Sequence, residues 1–145
     1  MIESSDLPEN LIEKAIEARK SAYAPYSKHE VGAALLTESG KIYQGANVEN
    51  CVFLGECAER VAFYKAVSEG ERDFLKLAVV TANEDLSPPC GICRQVFSEF
   101  ATDLEIIVAN LNKKFRIFRL KDLLPFSFTP QSLKKGQHSP GKNLR

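Results

Sequence analysis

The chain has 145 residues, 44% of them hydrophobic and 26% charged, which is the size and composition of one globular domain with a substantial core. Its 19 basic and 19 acidic residues cancel, leaving no long-range field to gather nucleic acid or an anionic membrane surface. No apolar run reaches membrane-spanning length, and the start MIESSDLPEN lacks the basic and apolar regions of a signal peptide, so the expected location is the cytoplasm.

A first helix is predicted from Asp6 as its cap, with Glu9 three residues on and Pro8 in the first turn. Leu11, Ile12, Ala15, Ile16 and Ala22 follow at helical spacing, and Pro25 ends it. The segments EVGAALLTE and KIYQGANVE, around Ser39-Gly40, read as a hairpin. A second helix, ECAERVAFYKAVSEG, carries an apolar stripe of Val61, Ala62, Tyr64 or the Lys65 stem, and Ala66, and closes at Gly70. LKLAVVTAN is a near-continuous apolar strand, as a buried central position requires. PPCGICRQVFSEFA begins as a turn and becomes a helix, LEIIVANL and FRIFRL are strands, and KDLLPFSFTP is a short helix followed by an ordered arm. The order αββαβαββ predicts an α/β fold of three layers, α/β/α, around a central mixed five-stranded sheet. Residues 1–130 form the single domain. Residues 131–145, with Lys134, Lys135, Lys142 and Arg145 and no acidic residue, read as a flexible basic tail.

Four cysteines, Cys51, Cys57, Cys90 and Cys93, stand in a chain that needs no disulfide staples, so metal binding or reactivity is the expected use; Cys51 reads as a small, partly buried apolar residue. Cys57 opens one predicted helix, and Cys90 and Cys93 open another. Unpaired N–H groups and the helix dipole favour the thiolate at such positions. The spacing Cys90-x-x-Cys93 suits two sulfurs on one tetrahedral Zn²⁺, with Cys57 as the third ligand. Neither His29 nor His138 pairs with these cysteines, so the fourth position is open, which is the condition for activating a water. Glu59, two residues past Cys57, is the expected proton carrier, and the Arg60 guanidinium is expected to donate to the ligand sulfurs.

Cys-Ala-Glu followed by Pro-Cys-x-x-Cys resembles the zinc nucleoside-deaminase signature in its three-cysteine form. The likeness takes in SAYAPYSK, VGAALLT, GANVEN, CAER, KAVSEG, PCGICRQV, SEFA and LLPFSF, nearly all of the chain from Ser21 to Phe128, and points to the small homotetrameric cytidine deaminases. The resemblance implies one Zn²⁺ per subunit on Cys57, Cys90 and Cys93, and Glu59 as the proton carrier. It implies hydrolysis of cytidine and 2′-deoxycytidine to uridine and 2′-deoxyuridine, a step of pyrimidine salvage. It further implies that Asn47 and Glu49 meet the ribose hydroxyls, that Ala58 contacts the pyrimidine through its backbone, and that Phe128 closes the pocket from a neighbouring subunit. The implied partners are a pyrimidine nucleoside and water within a homotetramer, with no nucleic acid and no membrane.

The chain departs from that family's pattern in places that border the substrate. His29 stands where the family has a phenylalanine against the nucleoside, and the segment CVFLGE between Asn50 and Cys57 is one residue short. Glu56 is acidic where a neutral residue is usual, and Pro88 replaces a serine. A shorter loop leaves space near the leaving group, so acceptance of N4-substituted or otherwise modified cytidines is the alternative expectation. A zinc-binding module without catalysis is a second alternative, against which Glu59 speaks. A thiol–disulfide motif would also read Cys-x-x-Cys, but it has no use for Cys-Ala-Glu upstream.

Overall fold

The computed structural model describes residues 7–137. Five strands form one mixed sheet: β1 (Gly32–Thr37), β2 (Ile42–Ala46), β3 (Phe74–Thr81), β4 (Glu105–Asn110) and β5 (Phe115–Arg119), in the spatial order β2-β1-β3-β4-β5. Only β3 and β4 run parallel; the other neighbouring pairs are antiparallel. Helix α1 (Pro8–Arg19) covers one face, and α2 (Ala58–Ser68) and α3 (Gly91–Ser98) cover the other. This is the expected three-layer arrangement.

Burial on both faces explains the near-continuous apolar strands, because successive side chains point to opposite sides. Ala33, Leu35, Leu77, Val79, Ile106 and Val108 pack toward α2 and α3. Their neighbours Ala34, Leu36, Ala78, Val80, Ile107 and Ala109 pack against Leu11, Ile12 and Ala15 of α1. On the α2/α3 side, Phe63 stacks on Phe97 with centroids 4.6 Å apart and an interplanar angle of 22°, and tilts onto Phe74 at the same distance. These rings lock α2 to α3. Gly45 of β2 brings α2 down onto the sheet: a Cβ there would lie 2.2 Å from the Ala58 carbonyl oxygen and 2.6 Å from the Ala62 nitrogen.

Local details differ from the sequence reading in four places. Asp6 lies outside the described residues; the N-cap position of α1 is Leu7, which gives no side-chain cap. Helix α1 stops at Arg19 rather than running to Pro25, because Tyr23 leaves to pair with the end of the hairpin: its N–H donates to Asn47 O at 2.9 Å and its carbonyl accepts from Glu49 N at 2.8 Å. Ala22 is therefore not part of the helical face. On α2 the inward face is Ala58, Glu59, Ala62, Phe63 and Ala66, with Tyr64 47% exposed and Lys65 bonded to Gln44 O. Ala62 and Ala66 face inward as read in the sequence, but Phe63 rather than Tyr64 or the Lys65 stem fills the core between them. Finally, beyond α4 (Leu120–Leu123), the segment read as a tail begins with a short helix, α5 (Pro130–Gln137); residues 138–145, with His138, lie outside the described residues.

The phase of α2 is testable by denaturation. Phe63→Ala is expected to cost about 3–5 kcal/mol through the cavity it opens, whereas Tyr64→Ala is expected to cost less than about 1 kcal/mol; equal losses would place the wrong face inward.

Candidate metal centre and active site

Cys57 and Cys90 occupy the N-cap positions of α2 and α3, and neither helix has a side-chain cap hydrogen bond. The thiols stand where an oxygen side chain would ordinarily meet the free N–H groups. Cys93 follows in the first turn of α3 and is fully buried. The three sulfurs lie within 4.8 Å of one another, with Cys57 to Cys90 at 3.9 Å and Cys90 to Cys93 at 3.5 Å. Tetrahedral ligands about 2.3 Å from one zinc would be about 3.8 Å apart, so the donor set fits that ion in both chemistry and spacing. Among the described residues the group consists of these three cysteines; Cys51, read in the sequence as partly buried, is exposed and is not part of it.

Charge around the sulfurs is arranged to favour one thiolate even without metal. A hydrogen bond from Cys93, then the Arg60 guanidinium with its Nη2 at 3.6 Å, holds the Cys57 thiol down to about 5. Cys93, donating to that sulfur and buried, is pushed up. Glu59 is 5% exposed, and burial, followed by the nearby Cys57 charge, lifts its carboxyl to about 7.

A cavity of about 410 Å³ opens beside this group and is bordered by His29, Asn47, Glu49, Cys57, Ala58, Glu59 and Cys90. One space therefore gathers two of the three cysteines, the expected proton carrier and four of the five residues expected at the substrate. Cys93 and Arg60 do not border it. Phe128 is not part of it: that ring is 60% exposed on the arm after α4, whose backbone is tied to α3 by Gln95 donating to Phe128 O at 2.8 Å.

Asn47 and Glu49 are engaged within the chain. Asn47 donates to His29 O and accepts from Val31 N, each at 2.8 Å. Glu49 accepts from Tyr26 N at 3.0 Å and from Ser27 N at 3.1 Å, and also from the Ser27 hydroxyl. The Ser27 hydroxyl leads the causes that hold the Glu49 carboxyl below its ordinary range. These bonds hold the 26–31 segment across the strand end. The sequence reading gave no part to Ser27 or to Thr81, which also border the cavity. Thr81 ends the strand of the parallel pair, a place where α/β sheets put their ligands, and the predicted position of that strand was the available signal.

The family profile for the cytidine and deoxycytidylate deaminase zinc-binding region matches residues 5–109. The chain belongs to this deaminase family. A cytidine deaminase of Halalkalibacterium halodurans is 45% identical over 85% of this chain and 95% of that protein. A blasticidin-S deaminase of Bacillus cereus is 32% identical over 82% of this chain and 90% of that one. The crystal structure of a cytidine deaminase from Burkholderia pseudomallei superposes with a TM-score of 0.80 at 44% identity, over 83% of this chain and 98% of that one. As a deaminase of this family the chain carries a zinc-binding domain, and its three clustered cysteines are the residues here that fit the ion.

Metal analysis provides the check on that cluster. The native chain is expected to retain about one zinc after dialysis, and Cys93→Ala, which removes a buried sulfur, is expected to lose it. Full zinc content in that variant would dissolve the assignment.

Proposed function

We propose that this deaminase hydrolyses cytidine and 2′-deoxycytidine to uridine and 2′-deoxyuridine. The observation that carries the reading is the buried Glu59 beside three sulfurs at zinc spacing, on the floor of an open cavity of nucleoside size. In the net reaction a C4–N4 bond of the base breaks, a C4–O bond forms from water, and ammonia leaves. Zinc, when bound on Cys57, Cys90 and Cys93, supplies the Lewis acidity that makes water nucleophilic near neutral pH. Glu59 takes one proton from the water and delivers it to the ring nitrogen of the base, then carries the proton left on the added oxygen to the amine, which departs as ammonia. A carboxyl lifted to about 7 by burial changes protonation state at little cost and suits both halves of that task.

Asn47 and Glu49 meet the ribose hydroxyls. The ionised Glu49 is an acceptor fixed in direction by Ser27 and Tyr26 N, and Asn47 is fixed by the 29–31 backbone. Ala58, at the first turn of α2, offers backbone to the pyrimidine, and His29 supplies a polar ring at the cavity edge. Phe128 completes a neighbouring subunit's pocket within a homotetramer; its exposure on an anchored arm, away from its own cavity, supports that role. The enzyme works as a cytoplasmic pyrimidine-salvage protein without nucleic acid. No described helix is long and apolar enough to cross a membrane.

Glu59→Gln is expected to keep its zinc and to lose about 10²–10⁴-fold in cytidine turnover, followed by the absorbance change of the base; a zinc-loaded variant with native turnover would sink the proposed role. A wider substrate range is favoured by the Bacillus cereus relative named for blasticidin-S and by the short loop whose end, Gly55 and Glu56, borders the cavity. Steady-state kcat/KM on cytidine, N4-methylcytidine and blasticidin S is expected to show turnover of at least one modified substrate within about 100-fold of cytidine, and turnover of unmodified nucleosides alone would refute that wider range.

A further inference from the structure

Glu56 has no part in the chemistry above, yet the fold fixes it with care. Its backbone forms a two-bond antiparallel bridge with Val48: Glu56 N donates to Val48 O at 2.9 Å, and Val48 N donates to Glu56 O at 3.0 Å. The bridge sets the carboxylate immediately before the metal-site Cys57 and four residues before Arg60. Glu56 Oε2 then lies 3.2 Å from Arg60 Nε. Both atoms are buried and neither makes an aligned hydrogen bond, so the contact is an ion pair held by charge and packing.

The Arg60 side chain is 13% exposed, and that of Glu56 is 41% exposed. The Arg60 guanidinium meets the Glu56 carboxylate with Nε at 3.2 Å and the Cys57 sulfur with Nη2 at 3.6 Å. A long arginine at a helix start has many rotamers that reach water. A planar guanidinium held at one nitrogen presents its remaining N–H groups in fixed directions. Donors aimed at ligand sulfurs offset the negative charge that three thiolates leave on a divalent ion, and such supporting contacts govern metal affinity.

We infer that Glu56 is a positioning residue whose carboxylate anchors Arg60 at Nε, so that Nη2 faces Cys57 and the three-cysteine centre holds its zinc more firmly. The inference rests on the zinc reading given above. It gives a task to Glu56, the carboxylate just before Cys57, which acts through the arginine rather than on the substrate.

The test uses the zinc-loaded protein and reads release of the ion into a chromophoric chelator, together with the thiolate-to-metal charge-transfer band of the cobalt-substituted protein. Glu56→Gln, which keeps shape and removes charge, is expected to speed zinc release about 10-fold and to shift the cobalt band. Arg60→Gln is expected to act in the same direction. In the double variant, Glu56→Gln is expected to add nothing to Arg60→Gln, since the carboxylate has lost the group it positions. Release unchanged or slowed in Glu56→Gln, or effects that multiply in the double variant, would overturn the inference. A native protein that takes up no zinc would instead overturn the metal centre itself, and this inference with it.

Discussion

The site depends on the stacking of Phe63 on Phe97. Each ring belongs to one of the two helices whose first turns carry the sulfurs, and the 4.6 Å contact fixes the spacing between those helices one to two turns away from the metal cluster. Phe74 at the start of β3 and Phe100 just beyond α3 extend the cluster, with an edge-on contact at 5.7 Å. An aromatic core of this kind contributes both buried area and orientation. Because packed interiors yield little, the separation of Cys57 from Cys90 and Cys93 follows from ring packing rather than from the sulfurs themselves.

Charge in the centre is laid out in a line. The Glu56 carboxylate faces the Arg60 guanidinium, the guanidinium faces the Cys57 sulfur, and Glu59 lies on the buried side of the same helix. Two carboxylates three residues apart are thereby sent to different environments. Glu56 keeps contact with water and a cation, whereas Glu59 is enclosed and shifts toward its protonated form. Environment, more than residue type, separates their roles.

Much of this was legible in the sequence because the chemistry is compact there. Cys90-x-x-Cys93 and Cys57 announce a metal site by residue type and short spacing, with the Glu59 carboxylate two residues on, and the strands announce a two-faced sheet by unbroken apolar runs. Harder to read were features that join distant segments. The clamp of Ser27 on Glu49 spans 22 residues and depends on the chain leaving α1 early, which no local propensity marked. Glu56 and Arg60 do stand at the i,i+4 spacing of helical ion pairs. Glu56 precedes the helix, however, and only the bridge to Val48 brings it into line. The choice between Phe63 and Tyr64 as the inward ring turned on a single residue of helical phase, which aromatic character alone does not resolve.

Gly45 bears on how such an enzyme can vary. Helix α2 rests on β2 with backbone against backbone, at a distance that excludes even a methyl group. The depth at which Ala58 and Glu59 sit is therefore set by the main chain, not by any side chain that substitution could enlarge or trim in small steps. A seam of this kind offers no gradual adjustment. In this chain the cavity can consequently be reshaped only from its rim, as at Gly55 and Glu56 in the loop before Cys57, where a residue can be exchanged while the floor keeps its level.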